Sequence, residues 1–170
     1  MLAKFSCPLI LALLLGSLPA RSEPLVADAD NLQNDETLVI TLPAGPIEIT
    51  MDQVSAARLI IKDGKGQTVT IDSAYMPRLL KSFHNSALLE LNTGGNACPI
   101  LFGWVTLDAR GLRASEDFGT CAEDASYEET KDGPVVSMDD IGDPGHTVSY
   151  LYDPTSNKLT KMKTRALHAP

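Results

Sequence analysis

The chain has 170 residues, with 22 acidic against 14 basic side chains and a formal net charge of −8. Phosphate backbones and anionic lipid surfaces are bound through clustered Lys and Arg, so this balance speaks against nucleic acid or a membrane surface as the partner.

The first residues have the three-part layout of a secretory signal. Lys4 supplies the positive start, Phe5 to Leu18 is uncharged with a leucine-rich centre at 9–15, and Gly16, Pro19 and the small pair Ala20 and Ser22 close it. The apolar run is shorter than the about 20 residues that span a bilayer. Cleavage after Ser22 is therefore expected, giving a periplasmic or secreted protein with no membrane span after signal removal. Residues 23–170 fit the size of one domain. Loss of Lys4 and Arg21 leaves 12 basic residues against 22 acids, a net charge of −10. Cys7 leaves with the signal as well, so Cys98 and Cys121 remain. An even count in an exported chain predicts a disulfide between them. A zinc site is a poor rival, since no CxxC or adjacent His pair supplies the other ligands.

Along the chain, 23–36 reads as a polar leader, and short β-type runs then alternate with turns. These are 37–42, 46–51 with Ile47, Ile49 and Met51 on one face, and the pair 58–62 and 67–72 around the hairpin signal Asp63-Gly64-Lys65-Gly66. Residues 73–84 differ. Tyr75, Leu79, Leu80 and Phe83 lie at helical spacing, with Ser73 as a cap and Pro77 in the first turn, and predict a short helix. Strand signals resume at 87–91. Residues 99–107 (PILFGWVTL) are apolar without alternation, as in a central strand buried on both faces, and Trp104 is expected in the core with its indole N–H partnered. A turn at 108–111 leads to 112–115. Asp132-Gly133 links 126–130 to 134–138, 146–152 alternates again, and a turn at 153–157 precedes a last run at 158–162. The fold class is mainly β: an antiparallel sandwich, barrel or meander with one short helix at about 73–84.

No nucleophile elbow, HExxH, phosphate loop or dinucleotide fingerprint is present, and no cofactor or metal is implied. Asp28-Ala29-Asp30-Asn31 opens like an EF-hand loop but lacks the Gly and Glu that complete it. His84 ends the predicted helix, where a cation complements the helix dipole. His168 is close to the C-terminus. His146 with Asp143 or Asp140 is the one arrangement that resembles a base with an orienting carboxylate. Charge placement is the clearest pattern. Between Glu116 and Asp143 stand ten acids and a single base, Lys131, whereas Lys158, Lys161, Lys163 and Arg165 follow with no acid beyond Asp153. The acids Glu116, Asp117, Glu123, Asp124, Asp139, Asp140 and Asp143 are candidates for docking a basic exported protein. A solvated face that keeps the domain soluble is the plainer explanation of the same charges.

Residues 94–121 carry Gly94-Gly95, Cys98-Pro99 and Phe118-Gly119-Thr120-Cys121. This segment resembles small exported bacterial proteins with a GGxxCP strand and a later FGTC, a group with no established activity; the likeness implies the same Cys98–Cys121 pairing. The overall plan is similar to periplasmic lysozyme inhibitors in architecture alone, because their Ser-Gly-x-x-Tyr loop is absent. The expectation is an exported, non-catalytic binding domain of inhibitor or immunity type. The alternatives are a hydrolase centred on His146 and a structural component of the envelope.

Overall fold

The computed structural model describes residues 23–24, 37–52, 57–72 and 74–165. The predicted signal segment, residues 25–36 of the leader, Ser73 and His168 lie outside the described residues. Among the described residues thirteen strands form three antiparallel sheets. The first holds β2 (Leu38–Leu42), β3 (Gly45–Met51), β4 (Arg58–Asp63) and β5 (Thr68–Asp72) in that order. The second holds β6 (Tyr75–Phe83), β7 (Ser86–Asn92), β8 (Ile100–Asp108) and β9 (Gly111–Ala114). The third runs β1 (Glu23–Pro24), β10 (Ala125–Thr130), β11 (Gly133–Asp139), β12 (His146–Asp153) and β13 (Lys158–Arg165).

The sheets stack with the second in the middle, and the sequence explains why. In β7 and β8 successive side chains point to opposite faces. Ala87, Leu89, Leu91, Val105 and Leu107 join one core with Ile40, Ile47, Ile49, Leu59 and Ile61 of the first sheet. Leu88, Phe102 and Trp104 join a second core with Tyr127, Val136, Met138, Val148, Tyr150 and Tyr152 of the third. A strand wet on neither side cannot alternate apolar with polar, hence the continuous apolar run in β8. Gly103 lets the first sheet approach. A Cβ there would stand 3.2 Å from a methyl of Leu91 and 3.7 Å from one of Ile71. The outer sheets alternate as half-buried strands do, with β2 and β12 burying every second residue.

The predicted hairpins at 63–66, 108–111, 132–133 and 153–157 all form. At the first, Asp63 Oδ1 accepts the N–H groups of Lys65 at 2.9 Å and Gln67 at 2.7 Å, an Asp side chain fixing its own turn.

The helix expected at 73–84 is not formed. Tyr75–Phe83 make β6, paired with β7, and His84 sits in the β6–β7 turn at φ +52° rather than at a helix end. Two register shifts, between Tyr75 and Arg78 and between Leu79 and Lys81, give the physical reason. Each bulge inserts a residue and resets the alternation. Leu79 consequently packs toward the first core and Leu80 into the second, and the resulting spacing imitates a helical stripe.

Candidate functional site

The candidate site is built by the segment between β9 and β10. It leaves the middle sheet at Ser115, whose Oγ accepts the N–H of Trp104 at 2.9 Å. Phe118 then exchanges two backbone hydrogen bonds with Phe102, at 2.7 and 2.8 Å, and its ring lies 4.9 Å from that of Tyr150. The Tyr150 hydroxyl donates to the carbonyl of Gly119 at 3.0 Å, and the Thr120 hydroxyl donates to the carbonyl of Asp139. Cys121 closes the predicted disulfide with Cys98, the Cα atoms 4.5 Å apart, and holds a left-handed φ of +68°. The segment is thus tied to both sheets, and it delivers Glu123 and Asp124 to the end of the third sheet where β11 finishes at Asp139.

There the outer face of the third sheet carries a shallow groove of about 400 Å³. Its floor is Ser126 and Ser137, cross-strand partners, with Thr147 beyond them; Asp124 and Asp139 line the same groove. Ser137 Oγ and Ser149 Oγ share a hydrogen bond of 2.7 Å. Period 2 puts these hydroxyls outside because Tyr127, Val136, Met138 and Val148 point inward. Asp124 and Asp139 are both exposed, and among the described residues neither carries an ion pair.

Asp140 and Asp143 stand beside this groove with their charges already answered. Lys163 Nζ lies 2.8 Å from Asp140 and 2.7 Å from Asp143. Its hydrogen bonds hold both carboxyl groups below the usual carboxylate range and raise the lysine. His146 does meet Asp143, with Nδ1 3.2 Å from Oδ2. That contact lies outside hydrogen-bond geometry, leaving Nδ1 without a bonded partner, and Lys163 already uses the same oxygen. A base is oriented by a hydrogen bond to its carboxylate, and this pair lacks one. Among the described residues no hydroxyl meets the imidazole, and no group of three or more His, Cys, Asp or Glu could hold a metal ion.

The seven candidate acids are therefore split. Asp124, Asp139, Asp140 and Asp143, with exposed Glu123 adjoining Asp124, gather at one end of the third sheet. Glu116 lies elsewhere, in a separate depression of about 320 Å³ with Asn157, Lys158 and Leu159, at the end where Lys158 pairs with Asp153, and Asp117 follows it in the chain. The role of Lys163 escaped the sequence reading, which set it in a basic tail. The 153–157 turn held the signal: pairing outward from Asp153 and Lys158 brings Lys163 opposite Val148, one turn away from the 140–143 loop.

Comparison of the chain with protein-family models, with curated proteins and with solved structures finds no match. Among the described residues no helix is long and apolar enough to cross a membrane.

Proposed function

We propose that this protein is an exported, non-catalytic binding domain of inhibitor or immunity type, active in the periplasm or outside the cell, that docks a basic protein on the acidic rim of its third sheet. The observation that carries the reading is the pair Asp124 and Asp139. Both are exposed, both border one shallow hydroxyl-floored groove, and neither has a cation of its own among the described residues. A wide, open depression suits a protein surface better than a small substrate, which is normally held in a deeper and more apolar cleft. The disulfide is consistent with an oxidising compartment, and the signal-like start agrees with it. Unanswered rim charges chiefly accelerate encounter with a partner of opposite sign, and salt weakens the effect.

The test is capture of partners from an envelope extract of the native host, followed by association kinetics with each captured protein. Asp124→Asn with Asp139→Asn should slow association at low salt by about tenfold, within the range that electrostatic steering supplies. Glu116→Gln with Asp117→Asn, on the remote depression, should leave it unchanged. An unaltered rate for the first pair with every captured protein would reduce the rim to a solubility device.

A further inference from the structure

The third sheet ends in an edge unlike the others. Among the described residues, the first sheet ends in five-residue strands, β2 and β5, and the second in four-residue β9 and doubly bulged β6. These are the usual means of keeping a sheet edge from accepting another strand. The far side of the third sheet is partly covered, β1 pairing with Tyr127 and Ser126 of β10. By contrast, β13 pairs with β12 over eight consecutive residues, His146 with Arg165 through Asp153 with Lys158, without a break in register. Its burial pattern is exposed throughout except at Leu159 and contains no proline.

Lysine on an edge ordinarily guards it by projecting over the open hydrogen-bonding groups. Two of these cations are instead drawn back into their own sheet. Lys161 Nζ sits 5.7 Å from the centre of the Tyr150 ring, its cross-strand neighbour, and Lys163 is held by Asp140 and Asp143. The opposite side of the strand carries Thr160, Met162 and Thr164, with Met162 41% exposed. Thr favours a pleated surface and Met adapts its shape to a neighbour.

We infer that the edge of β13, unpaired among the described residues, is a docking site for an extended acidic segment of a partner protein, which adds to the third sheet as a further strand. Main-chain hydrogen bonds along the edge provide the binding, and alternate side chains provide the selection. On the core-facing side, Lys163 is already answered by Asp140 and Asp143, but residues entering opposite Lys161 and Arg165 meet cations, so carboxylates are favoured there and a basic strand is repelled. On the other side Thr160, Met162 and Thr164 accept aliphatic or β-branched side chains. The same charges exclude a second copy of this chain on the same edge, because pairing β13 with itself sets lysine against lysine. The edge is distinct from the Asp124 and Asp139 rim, and the inference does not rest on that rim's function.

The test uses the full, oxidised protein and a blocked peptide of alternating Glu and Val matched to the strand's length, with a Lys and Val peptide as its counterpart. Backbone hydrogen exchange should slow at β13 with the acidic peptide and not with the basic one. Lys161→Glu with Arg165→Glu, both on the core-facing side, should weaken the acidic peptide by about tenfold, or about 1.4 kcal/mol. Arg165→Glu alone, which leaves the Lys161–Tyr150 contact in place, should give a smaller loss in the same direction. A thermal melt confirms that each variant is folded. Protection elsewhere, equal response to both peptides, affinity unmoved by the substitutions, or no response at about 1 mM peptide, the weak end of specific binding, overturns the inference. A dimer of the protein alone that protects the same amides also overturns it, by making a second copy the occupant.

Discussion

Trp104 and Tyr152 show how single residues hold the two C-terminal layers together. Their rings stack in parallel with centroids 4.8 Å apart, and both are fully buried. The Tyr152 hydroxyl sits in a chain of polar contacts. It lies 2.7 Å from Thr106 Oγ1, which lies 2.6 Å from Ser86 Oγ, and it donates to Asn157 Oδ1 at 2.8 Å, whose amide in turn donates to the carbonyl of Ala114. Tyr152→Phe keeps the stack but leaves Thr106 with Ser86 alone and takes the donor from Asn157 Oδ1, and should cost about 1–3 kcal/mol in denaturant unfolding. The indole N–H of Trp104, expected to find a partner, has none among the described residues. Its emission should nevertheless be that of a buried indole and shift red only on unfolding. Gly133 is the sharpest backbone requirement. It holds φ +136, and a Cβ there would lie 2.4 Å from the carbonyl of Tyr152. Gly133→Ala should therefore lower stability by more than about 2 kcal/mol, since both strain and a clash with backbone must be relieved.

Carboxylates add a pH dependence whose sign is fixed. Hydrogen bonds from Arg113 and then Arg110 hold Asp108 well below the usual carboxylate range, and Lys163 does the same for Asp140 and Asp143. A carboxyl whose folded value is depressed contributes stability above its unfolded value, near 3.9 for Asp, and loses it as pH falls toward the folded value. Thermal midpoints should hold steady on descending to about pH 5 and drop below about pH 4. Asp108→Asn should reduce the size of that acid drop. The same residue explains a tertiary tie: Arg113, paired with Asp108, also donates to the carbonyl of Pro154 at 3.1 Å, joining the β8–β9 and β12–β13 turns.

At the level of elements, the disulfide closes a separation of 23 residues between the start of β8 and the segment that leads to β10. In the chain-entropy picture a loop of that size stabilises by about 3 kcal/mol. Reduction should lower the denaturant midpoint accordingly while leaving a folded β spectrum, because Phe118, Gly119 and Thr120 keep their own bonds to both sheets. The hairpins were legible in the chain because each carries its own turn chemistry, Asp63-Gly64 and Asp132-Gly133 among them. The cysteine pair was legible from its count alone. β6 was not, since bulges are set by the partner strand and leave no local mark beyond an apolar spacing that a helix would share. The candidate acids were visible as charge but not as geometry. Only the β12–β13 register separates Asp124 and Asp139, without an ion pair among the described residues, from Asp140 and Asp143, joined to Lys163.

For the molecule as a whole, the middle sheet is the shared wall of two cores, and both depend on β7 and β8. Leu89→Ala empties a site in the first core and Leu88→Ala one in the second, each fully buried. Each should cost about 2–5 kcal/mol, and the unfolding transition should stay single because neither core survives the loss of the wall between them. Two transitions in a calorimetric scan of either variant would show that the layers unfold separately.

Strict sequence order within the first and second sheets also dictates when each surface is covered as the chain folds. Every strand of the middle sheet pairs with a neighbour in sequence, so that sheet and the first can assemble from local contacts alone, the kind that form fastest. The half-cystines both precede β10, and their bond can close before any of β10–β13 is available. Until those last strands arrive, the face carrying Leu80, Leu88, Phe102 and Trp104 stands open to water. A nascent or truncated chain ending before Ala125 is accordingly an adhesive intermediate, and the interval between completing the second and third sheets is the time for which this protein most needs a chaperone.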